Sequence, residues 1–141
     1  MSVNLADKPF HYMTLSIDPG PKESGYVVTD KGAIVEFGKA PLKEIKLLQS
    51  RFKIDRLLIE VTDWPIALAG ESYRDTNIVI GRILEFFKCI KIQIGRKEAR
   101  DHFNLKNDAA VIKFFREKGI RLRLDSWQAY LIYYYYEQQC K

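Results

Sequence analysis

The chain has 141 residues, 47% of them hydrophobic and 29% charged, with a formal charge of +5 at neutral pH. That length suits one domain with a real core, spanning 1–141. The composition excludes disorder and collagen-like repeats, and the longest apolar run, 129–136, falls well short of the ~20 residues of a membrane span. Residues 1–9 have no apolar signal core, and Cys89 and Cys140 have no framework or metal-binding spacing, so a cytoplasmic protein with free thiols is expected, a single bridge between them being the alternative.

Residues 12–17 (YMTLSI) form a β-type run stopped by Asp18-Pro19-Gly20, a strong turn signal. Two further strands, 25–29 (GYVVT) and 33–37 (AIVEF), are joined by a tight hairpin at Asp30-Lys31-Gly32. Over 41–52, Leu42, Ile45, Leu48 and Phe52 mark one face of a helix opened by Pro41. The nearly all-apolar 57–61 (LLIEV) suits a buried parallel strand, and 63–72, with Pro65 and Gly70, reads as a loop. A long helix is predicted over 73–88, with the stripe Ile80, Ile83, Leu84 and Phe87; that stripe suits a core face better than a dimer interface. A strand at 90–94 follows, then helices at 96–103 and 107–118, the second ended by Gly119. The last helix, 126–138, contains the tyrosine run 133–136. The order β-β-β-α-β-α-β-α-α-α is that of an RNase H-like α/β fold. Such a fold has a five-stranded mixed sheet flanked by helices, with its first and fourth strands parallel neighbours.

Charge is unevenly spread. Residues 88–123 hold eleven basic side chains against four acidic ones, while the rest of the chain is slightly negative. Such a block is the electrostatic footprint of a polyanion-binding surface, or else a solvated helix face. Nucleic acid becomes the better reading if acids elsewhere form a metal site. Asp18 follows the first strand and Glu60 lies near the end of the fourth, so neighbouring strands would bring both to the carboxyl edge of the sheet. Asp125 precedes the last helix, which can carry it alongside. Carboxylates are hard ligands suited to Mg²⁺, and three of them together repel one another without a cation. Each acid has a plainer role open to it. Asp18 suits a turn, Glu60 an ion pair with Arg56 or Lys53, and Asp125 a helix cap of the form Asp125-x-x-Gln128.

Three segments together resemble the RuvC-like Holliday junction resolvases: LSIDPGPKESGYVV, LLIEV followed by TDW, and RLDSWQAYLI. The stretch GRKEARDHFNLKNDAAVIKFFREKG is similar to the basic segment of their short phage-type members, and the likeness runs over about 13–132. The resemblance implies an RNase H-like fold, a homodimer, and Mg²⁺- or Mn²⁺-dependent cutting of four-way and other branched DNA in a bacterial cell or phage-infected host. It implies that Asp18, Glu60 and Asp125 are catalytic ligands of two ions. On that reading Arg96, Lys97, Arg100, Lys106 and Lys113 are expected to follow backbone phosphates, and Trp64 to stack on an unpaired base unless that ring folds onto the core. The chain departs from the family pattern at Gln128, where many members carry an acid or a histidine nearby; Asp63 is a candidate to compensate. A non-catalytic branched-DNA-binding protein and an RNA–DNA hybrid nuclease compete with this reading. A two-lobed sugar-kinase or actin-like ATPase does not suit the chain length.

Overall fold

The computed structural model describes residues 13–62, 71–123 and 126–140. The predicted 63–72 loop, together with Asp63, Trp64 and Asp125, therefore lies wholly or largely outside the described residues. The strands are β1 (Met13–Asp18), β2 (Ser24–Asp30), β3 (Ala33–Ala40), β4 (Ile54–Val61) and β5 (Ile90–Gly95). The helices are α1 (Leu42–Arg51), α2 (Glu71–Phe86), α3 (Arg96–His102), α4 (Asp108–Arg116) and α5 (Ser126–Gln139). This is the predicted order, with element ends displaced by up to about three residues.

The sheet order is β3-β2-β1-β4-β5, with β1 antiparallel to β2 and parallel to β4. The β2–β3 hairpin turns on Lys31 and Gly32, whose φ angles of 53° and 88° are both positive. A two-residue turn of that sign matches the right-handed twist of its strands. β3 runs on to Ala40, past the predicted end at 37, because Gly38 lets it cross closely over Tyr26. A Cβ at Gly38 would lie 3.1 Å from the Tyr26 hydroxyl. β4 begins at Ile54, earlier than its apolar run, because Arg56 finds polar partners within the fold. Its Nε and Nη2 donate to Thr14 Oγ1 at 3.1 and 2.9 Å, and Nη2 also donates to Glu137 at 3.0 Å.

Side chains alternate across the sheet. Leu15, Ile17, Leu57 and Ile59 point to the face covered by α1 and α2, where they meet Ile45, Leu48, Ile80, Ile83 and Phe87. The stripe of the long helix is thus mainly core: Ile83 and Phe87 are fully buried and Leu84 is half-buried. Val27 and Leu58 point the other way, onto α3, α4 and α5. α5 lies across the middle of that face and contacts β1, β2 and β4. All residues from Ser126 to Tyr133 are buried, so this helix shows no amphipathic period, as expected of one enclosed on every side. Ser126 Oγ donates to the Gly38 carbonyl at 3.1 Å and fastens the start of α5 to the sheet. Cys89 and Cys140 are free thiols. Among the described residues, no helix is long and apolar enough to cross a membrane.

Candidate active site

Parallel pairing of β1 with β4 sets the site. Ile17 pairs with Ile59, so the next residue on each strand, Asp18 and Glu60, reaches the same level of the sheet. Both point to the α5 face, because each stands one residue beyond a side chain of the opposite face. Beyond Asp18 the chain turns through Pro19-Gly20, and the Gly20 N–H donates to Ser24 Oγ at 3.3 Å. On the other side Glu60 pairs with Ile94 and Val61 with Gly95, so Arg96, opening α3 directly after β5, emerges beside them. Three neighbouring carboxyl ends therefore deliver Asp18, Glu60 and Arg96 to one place.

Arg96 joins the two acids. Its Nε donates to Glu60 Oε1 at 2.6 Å and its Nη2 to Asp18 Oδ1 at 3.2 Å. Glu60 is 2% exposed and its Oε2 has no hydrogen-bond partner among the described residues. Burial pushes the Glu60 carboxyl above its ordinary value despite the opposing pull of Arg96. The two acids hold Arg96 firmly protonated against its own partial burial.

Gln128, in the first turn of α5, is buried beside this group. Arg100 Nε donates to Gln128 Oε1 at 3.0 Å, which fixes the amide with oxygen towards Arg100 and leaves Nε2 as the end without a partner. Arg100 also pairs with Asp108 at the first turn of α4. A cleft of about 270 Å³ opens here between the polar side chains Asp18, Arg96, Asp108 and Gln128 and the apolar wall of Val111, Ile112 and Trp127. A second, of about 390 Å³, is lined by Thr62, Arg96, Lys97, Arg100 and Lys106. A third, of about 250 Å³, contains Glu60, Thr62, Tyr73 and again Arg96.

The structure thus brings Asp18, Glu60, Arg96, Arg100 and Gln128 together. Lys97 stands outside the group, exposed and paired with Asp101 one helical turn on at 2.6 Å; Lys106 and Lys113 are also exposed. The sequence offered Arg56 or Lys53 as partner to Glu60, but Arg56 is engaged with Thr14 and Glu137, and the cation on Glu60 is Arg96. Two features escaped the sequence reading: the bridging position of Arg96 and the presence of Asp108 in the cleft. For Arg96 a signal existed, since it opens a predicted helix just after the predicted 90–94 strand. For Asp108 there was none beyond its place at a helix start.

As donors, Asp18 and Glu60 suit a hard divalent ion, since Mg²⁺ typically takes one or two carboxylates and keeps its remaining positions for water and phosphate. The unpartnered, buried Glu60 Oε2 fits that role. Among the described residues, no group of three or more His, Cys, Asp or Glu side chains is close enough to hold a metal. Asp125, the third expected ligand, is outside them.

The five-stranded mixed sheet with helices on both faces matches the RNase H-like α/β fold of RuvC. The chain is similar to RuvC of T. thermophilus in complex with Holliday junction substrate, with a TM-score of 0.72 and 14% identity over 93% of this chain and 98% of that one. A second Thermus thermophilus RuvC structure gives a TM-score of 0.66 at 14% identity over 91% and 96% of the two chains. No family model and no curated protein sequence matches.

Proposed function

We propose that the protein is a single-domain cytoplasmic endonuclease that resolves four-way and other branched DNA junctions by divalent-metal-dependent phosphodiester hydrolysis. The observation that carries this reading is the meeting of Asp18 with the buried Glu60 on adjacent parallel strands. The likeness of the whole fold to a junction-bound RuvC supports the choice of substrate. Asp18 and Glu60 would hold the ions, Mg²⁺ or Mn²⁺, with Asp125 as third ligand and two ions per site. Such ions, when bound, activate water and stabilise the leaving oxygen. The chain's own residues set the geometry. Glu60 is held rigidly within a core strand, Arg100 fixes the Gln128 amide, and α5 is pinned by Ser126. Gln128 adds a dipole where an acid would add charge, so any further negative charge must come from elsewhere, such as Asp63.

Lys97 and Lys106, exposed along the 390 Å³ cleft, are suited to backbone phosphates; Arg100, tied to Gln128 and Asp108, is suited to support the site. Replacing Lys97 and Lys106 together by Ala should reduce the slope of log K against log salt for junction binding by about 2, since each lost phosphate contact on duplex DNA removes roughly 0.9. A slope equal to that of the parent protein would clear both of phosphate contact.

A homodimer suits a substrate with two-fold symmetry. On α2, Ile78 and Phe86 remain exposed while Ile80 and Ile83 face inward, two apolar side chains that a second copy would cover. The competing reading, a protein that binds branched DNA without cutting it, is favoured by one feature: a guanidinium lies between the two acids. A nicking assay titrated with Mg²⁺ or Mn²⁺ on four-way, Y-shaped and flap DNA and on an RNA–DNA hybrid separates the readings. Paired nicks in the four-way junction are expected. A gel shift without nicks in either metal would establish the binder, and preferential cutting of the hybrid would establish the RNase H activity.

A further inference from the structure

A single guanidinium spans the two carboxylates that the nuclease reading assigns to a divalent ion, at 2.6 Å from Glu60 and 3.2 Å from Asp18. A fixed cation in that gap and a divalent ion repel each other strongly, because the surroundings are only partly solvated. Without any cation the gap would hold two carboxylates, one of them 2% exposed, which is costly in turn. Arg96 therefore supplies the compensation that the apo fold needs. Its position also permits departure: its side chain is 39% exposed and borders all three clefts around the pair, so solvent-filled space adjoins it on several sides. Glu60 keeps one oxygen unpartnered while the other is held by Arg96, as expected of a carboxylate only half engaged by its present partner.

The geometry points to Arg96 as a displaceable stand-in cation, which holds Asp18 and Glu60 together in the metal-free protein and leaves the gap when a divalent ion enters. This inference rests on the nuclease reading of the site. On leaving, the guanidinium faces the cleft of Lys97, Arg100, Asp101 and Lys106. Ion affinity in the free protein is thereby lowered by the work of moving Arg96.

The test uses the full chain and Mn²⁺ alone, with bound ion counted by electron paramagnetic resonance, so that no cleavage enters the readout. Arg96→Gln should bind Mn²⁺ about tenfold more tightly than the parent, the gain expected when a competing charge is removed from a partly solvated site. Arg96→Lys, which keeps the charge but loses the two-pronged fork, should fall between them. Without metal Arg96→Gln should melt below the parent, and saturating Mn²⁺ should narrow the difference. A measurement on the unaltered protein stands beside the variants: the Arg96 Nε–H nuclear magnetic resonance signal should lose its hydrogen-bonded shift on addition of Mg²⁺. Mn²⁺ bound by the parent with equal or weaker affinity in Arg96→Gln, or an Arg96 signal unmoved at saturating Mg²⁺, would make Arg96 a fixed strut; the inference fails and the nuclease reading stands. Mn²⁺ bound by neither parent nor variants would remove the metal site itself, and both would fail together.

Discussion

Asp18→Asn should lower junction cleavage by about 10³-fold or more, the scale set by losing several kcal/mol of metal-derived transition-state stabilisation at about 1.4 kcal/mol per tenfold. Binding of the junction should survive or tighten. Asp18 lines the cleft a phosphate would enter, so removing its charge lessens repulsion of the backbone. The fold should also survive, since Asp18 sits at the end of a strand and Arg96 keeps its shorter contact, that with Glu60. Cleavage by single-turnover kinetics and binding by fluorescence anisotropy, on one preparation, separate these effects. Undiminished cleavage in the variant would expel Asp18 from the site.

Glu60→Gln should lose activity on the same scale, and its effect on stability should have an unusual sign. Most carboxylates in ion pairs are held below their ordinary value, so ionisation stabilises the fold. Glu60 is the reverse case: burial outweighs Arg96, and its carboxyl in the folded protein is raised above its ordinary value. The folded state then keeps a proton that the unfolded chain releases. The contribution of Glu60 to stability is therefore fully present below the ordinary carboxylate value and is lost as pH rises through the raised one. Glutamine resembles the protonated acid in shape and stays neutral. The metal-free variant should thus be at least as stable as the parent at neutral pH and should lack that part of the parent's decline with rising pH. Urea titrations between pH 4 and 7, without metal, measure this directly. A Glu60→Gln protein markedly less stable than the parent at pH 7 would mean that the charged pair with Arg96 is net stabilising.

The two predictions treat Glu60 and Arg96 as unequal partners. Arg96 is part-exposed and keeps much of its hydration, whereas Glu60 gives up nearly all of its own. The larger desolvation cost therefore falls on the acid, which explains why a close ion pair coexists with a raised carboxyl.

Much of this was legible in the sequence because it is written in short-range pattern. Alternation and the hairpin signal located β1, β2 and β3, the apolar LLIEV marked a buried parallel strand, and the three-residue spacing of Leu42, Ile45 and Leu48 marked α1. Glu60 stood out because an acid inside an apolar strand needs a reason. Which cation answers it was not legible. Arg56 is four residues away along the chain, yet Arg96, thirty-six residues away, makes the contact, because parallel pairing of β4 with β5 sets the start of α3 beside the end of β4. The polarity of the Gln128 amide likewise depends on Arg100, from another helix. By itself the chain determined its elements, their order and the acids at strand ends, since these follow from local periodicity and turn chemistry. The tertiary structure alone decided which charges share a low-dielectric space, because strand register brings distant residues within the few ångströms over which ion pairing and desolvation act.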